Sequence, residues 1–417
     1  MVFPEGHDQL QAVVVESGRL GIPVFMRGAG TGFSGGSVPV GGGLVVSTEK
    51  MRRVLALDSA SGTVEVESGM VNSELQDFLL PHGLFYPPDP ASLKVSTIGG
   101  NIAENAGGPR AYKYGVTRRY VRSIDWLTAS GERFKGPFEG PAALLCGAEG
   151  TLGVIYSAVL DVIPIPGSHI TSLVDSGDDT GAMDIAAELL SSGFNPSVLE
   201  FIDSRTMDCV TGYMSYSGIE KGRSHLFIEV DGTPEAAESQ QEKLEYYCRD
   251  RGLQLSSARD PEKRETLWEL RRSISPSLAR RGITKINEDV SLPLGSLGRA
   301  VSFIHETAAR HGLDCYIFGH CGDGNLHVNI MTDRRDRSEI ERAGRFVDEL
   351  FRETVSMGGT LSGEHGIGIT KNEYLGVLFS GQELALQAGI RRAMDPQSRL
   401  NPGKYFDRYF TDGEQGR

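Results

Sequence analysis

Arg27-Gly28-Ala29-Gly30-Thr31-Gly32-Phe33-Ser34-Gly35-Gly36 is the stretch on which the fold turns. It contains a literal GxGxxG at positions 30–35, the pattern of a Rossmann dinucleotide site. That pattern must open a helix. Here the chain runs on as Ser37-Val38-Pro39-Val40-Gly41-Gly42-Gly43, which cannot continue one. The preceding Ile22-Pro23-Val24-Phe25-Met26 reads as a strand. A strand followed by a non-helical glycine loop can still cradle a pyrophosphate through backbone N–H groups. A tight surface loop is the other reading of this stretch taken alone.

The chain's 53 glycines are unevenly spread and crowd into 28–43, 99–115, 147–153 and 358–368. The second cluster follows Pro87-Pro88-Asp89-Pro90 and runs from Ser96-Thr97 through Gly99-Gly100-Asn101 to Ala106-Gly107-Gly108, then Tyr114-Gly115. Small residues in series let a flat ligand approach the backbone closely. The third, Gly147-Ala148-Glu149-Gly150-Thr151-Leu152-Gly153, precedes a strand. Three such loops in one region suit a large, extended cofactor better than three unrelated turns.

Length and composition set the frame. At 417 residues the chain exceeds one ordinary core, so two domains are expected. A mean hydropathy of −0.22 describes a soluble globular protein, and apolar runs such as Val13-Val14-Val15 fall far short of a membrane span. The opening Met1-Val2-Phe3-Pro4-Glu5-Gly6 shows no signal-peptide pattern. A net charge of −13 argues against nucleic acid but leaves room for an anionic substrate bound by local cations. Five scattered cysteines without a CxxC pair signal neither disulfides nor an iron–sulfur cluster. A cytoplasmic location with reduced thiols is the simplest expectation. A peripheral seat at the inner face of a membrane and a homodimer are both compatible with it.

Thr63-Val64-Glu65-Val66-Glu67 alternates as a half-buried strand, Asn72 is placed to cap a helix running to Gly83, and 154–160 reads as a strand. The proline-rich Asp161-Val162-Ile163-Pro164-Ile165-Pro166-Gly167-Ser168 marks a domain boundary, giving domains 1–163 and 168–406. Beyond it, helices are expected at 180–191, 234–250, 262–281, 296–311 and 336–357. Strands are expected at 197–202, 225–231, 285–292, 314–319 and 326–331. This order suggests an α+β domain with helices on one face of an antiparallel sheet.

The run Gly319-His320-Cys321-Gly322-Asp323-Gly324-Asn325-Leu326-His327-Val328-Asn329 places two histidines symmetrically about Asp-Gly, a preferred centre for a two-residue hairpin turn. A turn there pairs 320 with 327 and brings both imidazoles onto one face, with Asn329 beside them. A polar residue with a satisfied hydrogen bond is the bland reading of either histidine alone. Ser362-Gly363-Glu364-His365-Gly366 adds an adjacent acid and imidazole. Two histidines and a carboxylate, His320, His327 and Glu364, suit a divalent metal with open positions. If the 364–365 loop is extended, the two side chains diverge, one toward metal and one toward substrate.

Taken together, RGAGTGFSGG, PPDPAS, STIGGNIAENAGG, GAEGTLG, GHCGDGNLHVN, SGEHGIG and the closing Leu400-Asn401-Pro402-Gly403-Lys404 resemble the FAD-linked D-2-hydroxyacid dehydrogenases of the vanillyl-alcohol oxidase/p-cresol methylhydroxylase superfamily. Members of that family include glycolate oxidase flavin subunits, D-lactate dehydrogenases and D-2-hydroxyglutarate dehydrogenases. The resemblance covers nearly the whole chain. It implies an α+β two-domain flavoprotein with a PCMH-type FAD-binding domain and an α+β, ferredoxin-like substrate domain whose last twenty or so residues return to the flavin. It also implies a flavin domain that is short at its N-terminus relative to the family.

By the same resemblance, Gly28, Ala29, Gly30, Thr31, Gly32, Ser34, Gly35 and Gly36 hold the FAD pyrophosphate, and Arg27 belongs to the cofactor set. Pro88, Ser96, Thr97, Gly100, Asn101, Ala106, Gly107 and Gly115 line the rest of the flavin. Glu149, Gly150 and Gly153 join the cofactor set, as do Ile155 toward the adenine half and Asn401. The implied metal ligands are His320, His327 and Glu364, for Zn, Mn or Fe, with Asn329 a neighbour and His365 the base.

Oxidising a 2-hydroxy acid requires loss of the hydroxyl proton and transfer of hydride from Cα to the flavin. A metal can chelate carboxylate and hydroxyl together, and an imidazole suits the proton. A cation must secure the carboxylate. Arg271 and Ser275, one helical turn apart, and Lys285 at the start of a strand are the residues expected there, and the resemblance selects the same three. A solvated helix charge is the bland reading of Arg271.

The expected substrate is a small anionic 2-hydroxy acid of the D-lactate or glycolate class, with D-2-hydroxyglutarate the alternative. The electron acceptor is a quinone, cytochrome, flavoprotein or iron–sulfur partner. A non-haem iron oxygenase or metallohydrolase built on the same triad would be colourless at the flavin band. An inactive FAD-binding assembly subunit would have no use for Glu364 and His365.

Overall fold

The computed structural model describes residues 1–216, 218–282 and 284–404. They form two compact units. The first comprises Met1–Gly108, Gly115–Ile165 and the chain from Glu364 onward; the second comprises Pro109–Tyr114 and Pro166–Gly363. The crossing at Ile165 lies inside the proline-rich boundary read from sequence. The return to the first unit begins at Glu364, well before the last twenty or so residues, and positions 405 and 406 of the expected second domain lie outside the described residues.

In the first unit a five-stranded antiparallel sheet runs in the order Val54–Asp58, Thr63–Glu67, Val154–Asp161, Val121–Leu127, Arg133–Pro137. Val24–Arg27 and Leu44–Ser47 form a separate parallel pair. A parallel connection needs a long crossover, commonly a helix. Here residues 28–43 make that crossover as an open loop with no helix, as Pro39 and the glycine triplet require. Leu10, Val14, Val24, Val46, Leu127, Val154 and Leu400 share one buried cluster. The C-terminal segment is thus part of this core, bonded through Val24 N to Arg399 O (2.8 Å) and Asn401 N to Val24 O (2.7 Å).

One expected cap is corrected. Asn72 lies inside the helix Asn72–Leu79, whose N-cap is Val71. The Asn72 side chain donates to Pro88 O (3.1 Å), and its Oδ1, the atom a cap would use, accepts from Gln76 Nε2 (3.4 Å).

The second unit holds a seven-stranded antiparallel sheet, ordered Leu255–Ala258, Ser168–Gly177, Ser224–Gly232, Val198–Ile202, Asp314–Gly319, Asn325–Thr332, Thr284–Ser291. Its first half is a split β-α-β, with the fourth strand beside the first, the first beside the third and the third beside the second, the ferredoxin-like arrangement. The first of these strands, Ser168–Gly177, starts where the boundary was read and was not foreseen. Helix starts follow the usual chemistry: Asp203 accepts from Thr206 N (2.7 Å), Thr233 precedes Pro234 and Asp260 precedes Pro261.

Helices do not keep to one face of this sheet. Every residue of Asn325–Thr332 is buried, and alternate side chains point to opposite faces. Leu173, Ile202, Phe227, Tyr316 and Phe318 pack under Ser204–Met214, Pro261–Arg272 and Ile274–Leu278. Asp179–Ser191, Pro234–Asp250, Leu297–His311 and Arg337–Ser356 also contact the strands, and Leu226, Ile228 and Val230 on the other face are buried. The expected helix 262–281 is broken at Ser273, because Pro276 has no N–H to give the carbonyl of Arg272. All five cysteines are free thiols, and no helix among the described residues is long and apolar enough to cross a membrane.

Candidate active site

The glycine loops of the first unit wall a single cleft. Its lining comes from residues within 26–37, 96–106 and 145–155 and from the pair Glu364-His365, with Thr48, Ser68 and 90–92. Of the residues expected at a cofactor, Arg27 to Gly32, Gly36, Ser96, Thr97, Gly100, Asn101, Ala106, Glu149, Gly150, Gly153 and Ile155 line it. At Gly32 a Cβ would meet only Glu104 Oε1, at 3.8 Å, so an added carbon would project into the cleft itself. At Gly28 it would lie 2.2 Å from Thr97 Oγ1. The loops are therefore close-packed behind and open in front.

Ser68 Oγ, Ser96 Oγ and Asn101 Nδ2 are buried along this cleft with no hydrogen-bond partner among the described residues. Buried polar atoms without partners are costly and call for a ligand. A polar, flat, phosphate-bearing cofactor fits the donor set and the glycine cradle, so the residues present suit FAD.

Six expected cofactor residues do not line the cleft: Ser34, Gly35, Pro88, Gly107, Gly115 and Asn401. Two of them brace its wall instead. Ser34 O accepts from Ile369 N (2.8 Å), and Asn401 Nδ2 bridges Gly36 O (2.8 Å) and Glu149 O (2.7 Å). Glu149 lines the cleft, yet its carboxylate is engaged elsewhere, accepting Ile367 N (2.7 Å) and Gly368 N (2.8 Å). Burial pushes the Glu149 carboxyl pKa up, against the pull of those two N–H groups and of Lys371 and Lys404. Glu149 thus fastens the turn that carries His365.

That turn is bent, not extended. Gly366 has φ +78, and His365 Nε2 lies 3.9 Å from Glu364 Oε1, so the two side chains do not diverge as an extended loop would require. The His365 ring packs against Phe33 at a 40° tilt, with centroids 4.8 Å apart.

In the second unit the hairpin register differs from expectation. Phe318, not His320, stands opposite His327, and His320 to Gly324 form the connecting loop. Tertiary bonds explain the longer loop: Gly322 N donates to Leu199 O (3.2 Å) and Cys321 Sγ to the same oxygen (3.3 Å). A shift of two residues preserves the face, so the histidines become diagonal neighbours rather than direct partners. They still converge, with Nε2 atoms 3.4 Å apart and rings perpendicular. Two nitrogens bound at about 2.0–2.1 Å to one tetrahedral ion lie about 3.4 Å apart. The pair therefore fits half of a metal's donor set.

Sequence reasoning missed Glu200. Fully buried in Val198–Ile202, its carboxylate contacts His320 Nδ1 and the Arg271 guanidinium, Nε at 2.7 Å. Burial pushes its carboxyl up, but Arg271 and His320 outweigh that and hold it at about 2. The available signal was a lone charge in an otherwise apolar strand, since acids are seldom buried unless paired. Arg271, turned inward over Phe318, reaches this cluster, whereas Ser275 is exposed beyond the helix break.

Lys285, Asn287 and Asp289 stand opposite Met331, Asn329 and His327 on the same face of the sheet. Asn329 is bound within the sheet, accepting from Asn287 Nδ2 (2.7 Å) and donating to Tyr316 O (3.4 Å) and His327 O (3.2 Å). Burial lowers the Lys285 ammonium pKa.

Comparison with known proteins places this arrangement. The fold matches p-cresol methylhydroxylase with substrate bound, at a TM-score of 0.78 and 16% identity over 97% of this chain and 88% of that one. That likeness shows the fold, and the two family matches that follow make the class that of two-domain FAD-binding proteins. Residues 1–136 match an FAD binding domain and 166–405 the C-terminal domain of FAD linked oxidases. Glycolate oxidase subunit GlcD of Bacillus subtilis is 34% identical over 97% of this chain and 88% of its own length. D-lactate dehydrogenase of Archaeoglobus fulgidus is 32% identical (97% and 90%), and D-2-hydroxyglutarate dehydrogenase of Stutzerimonas stutzeri 30% (97% and 90%). The chain belongs to the FAD-linked oxidase family.

Proposed function

We propose that the protein oxidises a small D-2-hydroxy acid, of the D-lactate or glycolate class, to the corresponding 2-oxo acid with FAD. The observation that carries this reading is the convergence of His320 and His327, tied through Glu200 to the inward-turned Arg271. A guanidinium is suited to a carboxylate, and a bis-imidazole site to a metal that also takes the α-hydroxyl. Names of relatives that act on glycolate, D-lactate and D-2-hydroxyglutarate support the substrate class. D-2-hydroxyglutarate is the second reading, favoured by Lys285 on the face that carries His327, where a second carboxylate would find a cation.

When bound, the flavin supplies a hydride acceptor, and a divalent ion supplies Lewis-acid polarisation of the hydroxyl. His320 and His327 would hold the ion, with Glu364 as third ligand. Ser362 Oγ donates to Asp289, the cross-strand partner of His327, at 3.1 Å, and Glu364 follows Ser362 by two residues. Arg271 orients the substrate carboxylate, and Lys285 is a further cation on the face that carries His327. His365 takes the hydroxyl proton at a ring nitrogen. A quinone, cytochrome, flavoprotein or iron–sulfur partner would serve as the electron acceptor.

Metal removal tests the reading. Dialysis against a chelator should abolish substrate-driven bleaching of the flavin while the flavin stays bound, and Zn²⁺ or Mn²⁺ should restore it. Full reduction rates in a sample shown by elemental analysis to be metal-free would refute the metal's role.

A further inference from the structure

We infer that Glu200 is a positioning residue that fixes His320 and Arg271 together, so that one carboxylate sets both a metal ligand and the substrate's carboxylate anchor. The inference rests on the functional reading above. Val198, Leu199, Phe201 and Ile202 around it are apolar and buried, so nothing in the strand itself calls for a charge. Phe201 pairs with Gly319 and Ile202 with Phe318, and continuing that register brings Glu200 opposite His320.

An ionised carboxylate can only accept, so the His320 Nδ1 it touches must carry the proton. The neutral ring then presents the Nε2 lone pair, and Nε2 is the atom that meets His327 Nε2 at 3.4 Å. The second carboxylate oxygen takes Arg271 through Nε (2.7 Å) and Nη2. That leaves the Nη1 edge as the one to meet a substrate carboxylate. Cys321, next to His320, is pinned to Leu199 O, which holds the loop backbone that carries the imidazole. Carboxylates that hold the far nitrogen of a ligating histidine are worth about 10–100-fold in metal affinity.

The test uses the full-length, FAD-loaded chain, with Zn²⁺ as the probe. Glu200→Gln should weaken Zn²⁺ binding about 10–100-fold by chelator competition. It should raise KM for D-lactate more than it lowers kcat, and leave flavin binding unchanged. Glu200→Asp, one methylene shorter, should recover part of both and carries the test if the Gln variant does not fold. Glu229→Gln, an equally buried carboxylate between Arg110 and Arg264, should keep wild-type Zn²⁺ affinity and so reports generic damage to the sheet. Wild-type Zn²⁺ affinity and KM in the folded Glu200 variants would overturn the inference alone. A wild-type chain that binds no Zn²⁺ would overturn the metal reading and this inference with it.

Discussion

His365 sits in a turn held by Glu149, whose carboxylate takes the N–H groups of Ile367 and Gly368. At this scale the site is built from acids that hold other residues in place. Glu149 was legible as part of a glycine loop, but its partners lie more than two hundred positions away, which no local pattern reveals. Glu200 left only the trace of a charge in an apolar strand, because its partners Arg271 and His320 lie 71 and 120 positions away. The role of His365 is open to a direct check. Replacing it with Asn keeps the turn and should leave FAD bound, yet slow anaerobic flavin reduction by about 10²–10⁴-fold, the usual worth of a positioned base. Stopped-flow absorbance reads the rate, and a variant that reduces at the wild-type rate would place the base elsewhere.

Among the elements, those with a strong periodic or glycine signal came through: Thr63–Glu67, Pro234–Asp250, Leu297–His311 and the helix-free loop 28–43. The hairpin 314–332 kept its strands and its face but lost its two-residue turn, because Leu199 claims Gly322 and Cys321. Such competition is tertiary and lies outside any turn propensity. Ser224–Gly232 shows what else is hidden. Its Glu229 is fully buried and bonded to Arg110 (3.0 Å), Arg264 (2.8 Å), Trp268 Nε1 (2.8 Å) and Thr171 Oγ1 (2.6 Å).

Burial pushes the Glu229 carboxyl pKa up, but its partners hold it well below the ordinary 4.5. A depressed carboxylate contributes stability that is full above the unfolded pKa and lost as pH falls through the folded one. Glu229→Gln should therefore cost about 3–5 kcal/mol near neutral pH by calorimetry, as breaking a pair at a buried carboxylate does. The gap to wild type should hold down to about pH 5 and narrow in stronger acid. A gap that widens on acidification would contradict this account of the strand.

Over the whole molecule, the chain leaves the first unit twice: briefly at Pro109–Tyr114, and at Pro166 for the length of the second unit. The large division was readable because Pro164, Pro166 and Gly167 interrupt the pattern. The short excursion was not, since Arg110 and Lys113 look like solvated charges until Glu229 and Asp231 are seen to receive them. Nor was the early return at Glu364, where only the closing motif pointed back and the decisive contact is Leu400 buried among Leu10, Val14 and Val24. What the whole chain is for reduces to one reaction, reduction of its flavin by a D-2-hydroxy acid. Anaerobic mixing of the FAD- and metal-loaded protein with D-lactate, glycolate or D-2-hydroxyglutarate should bleach the oxidised-flavin absorbance with one 2-oxo acid formed per flavin, while L-lactate leaves it unchanged. A flavin that dithionite reduces but that none of these acids bleaches would contradict the account.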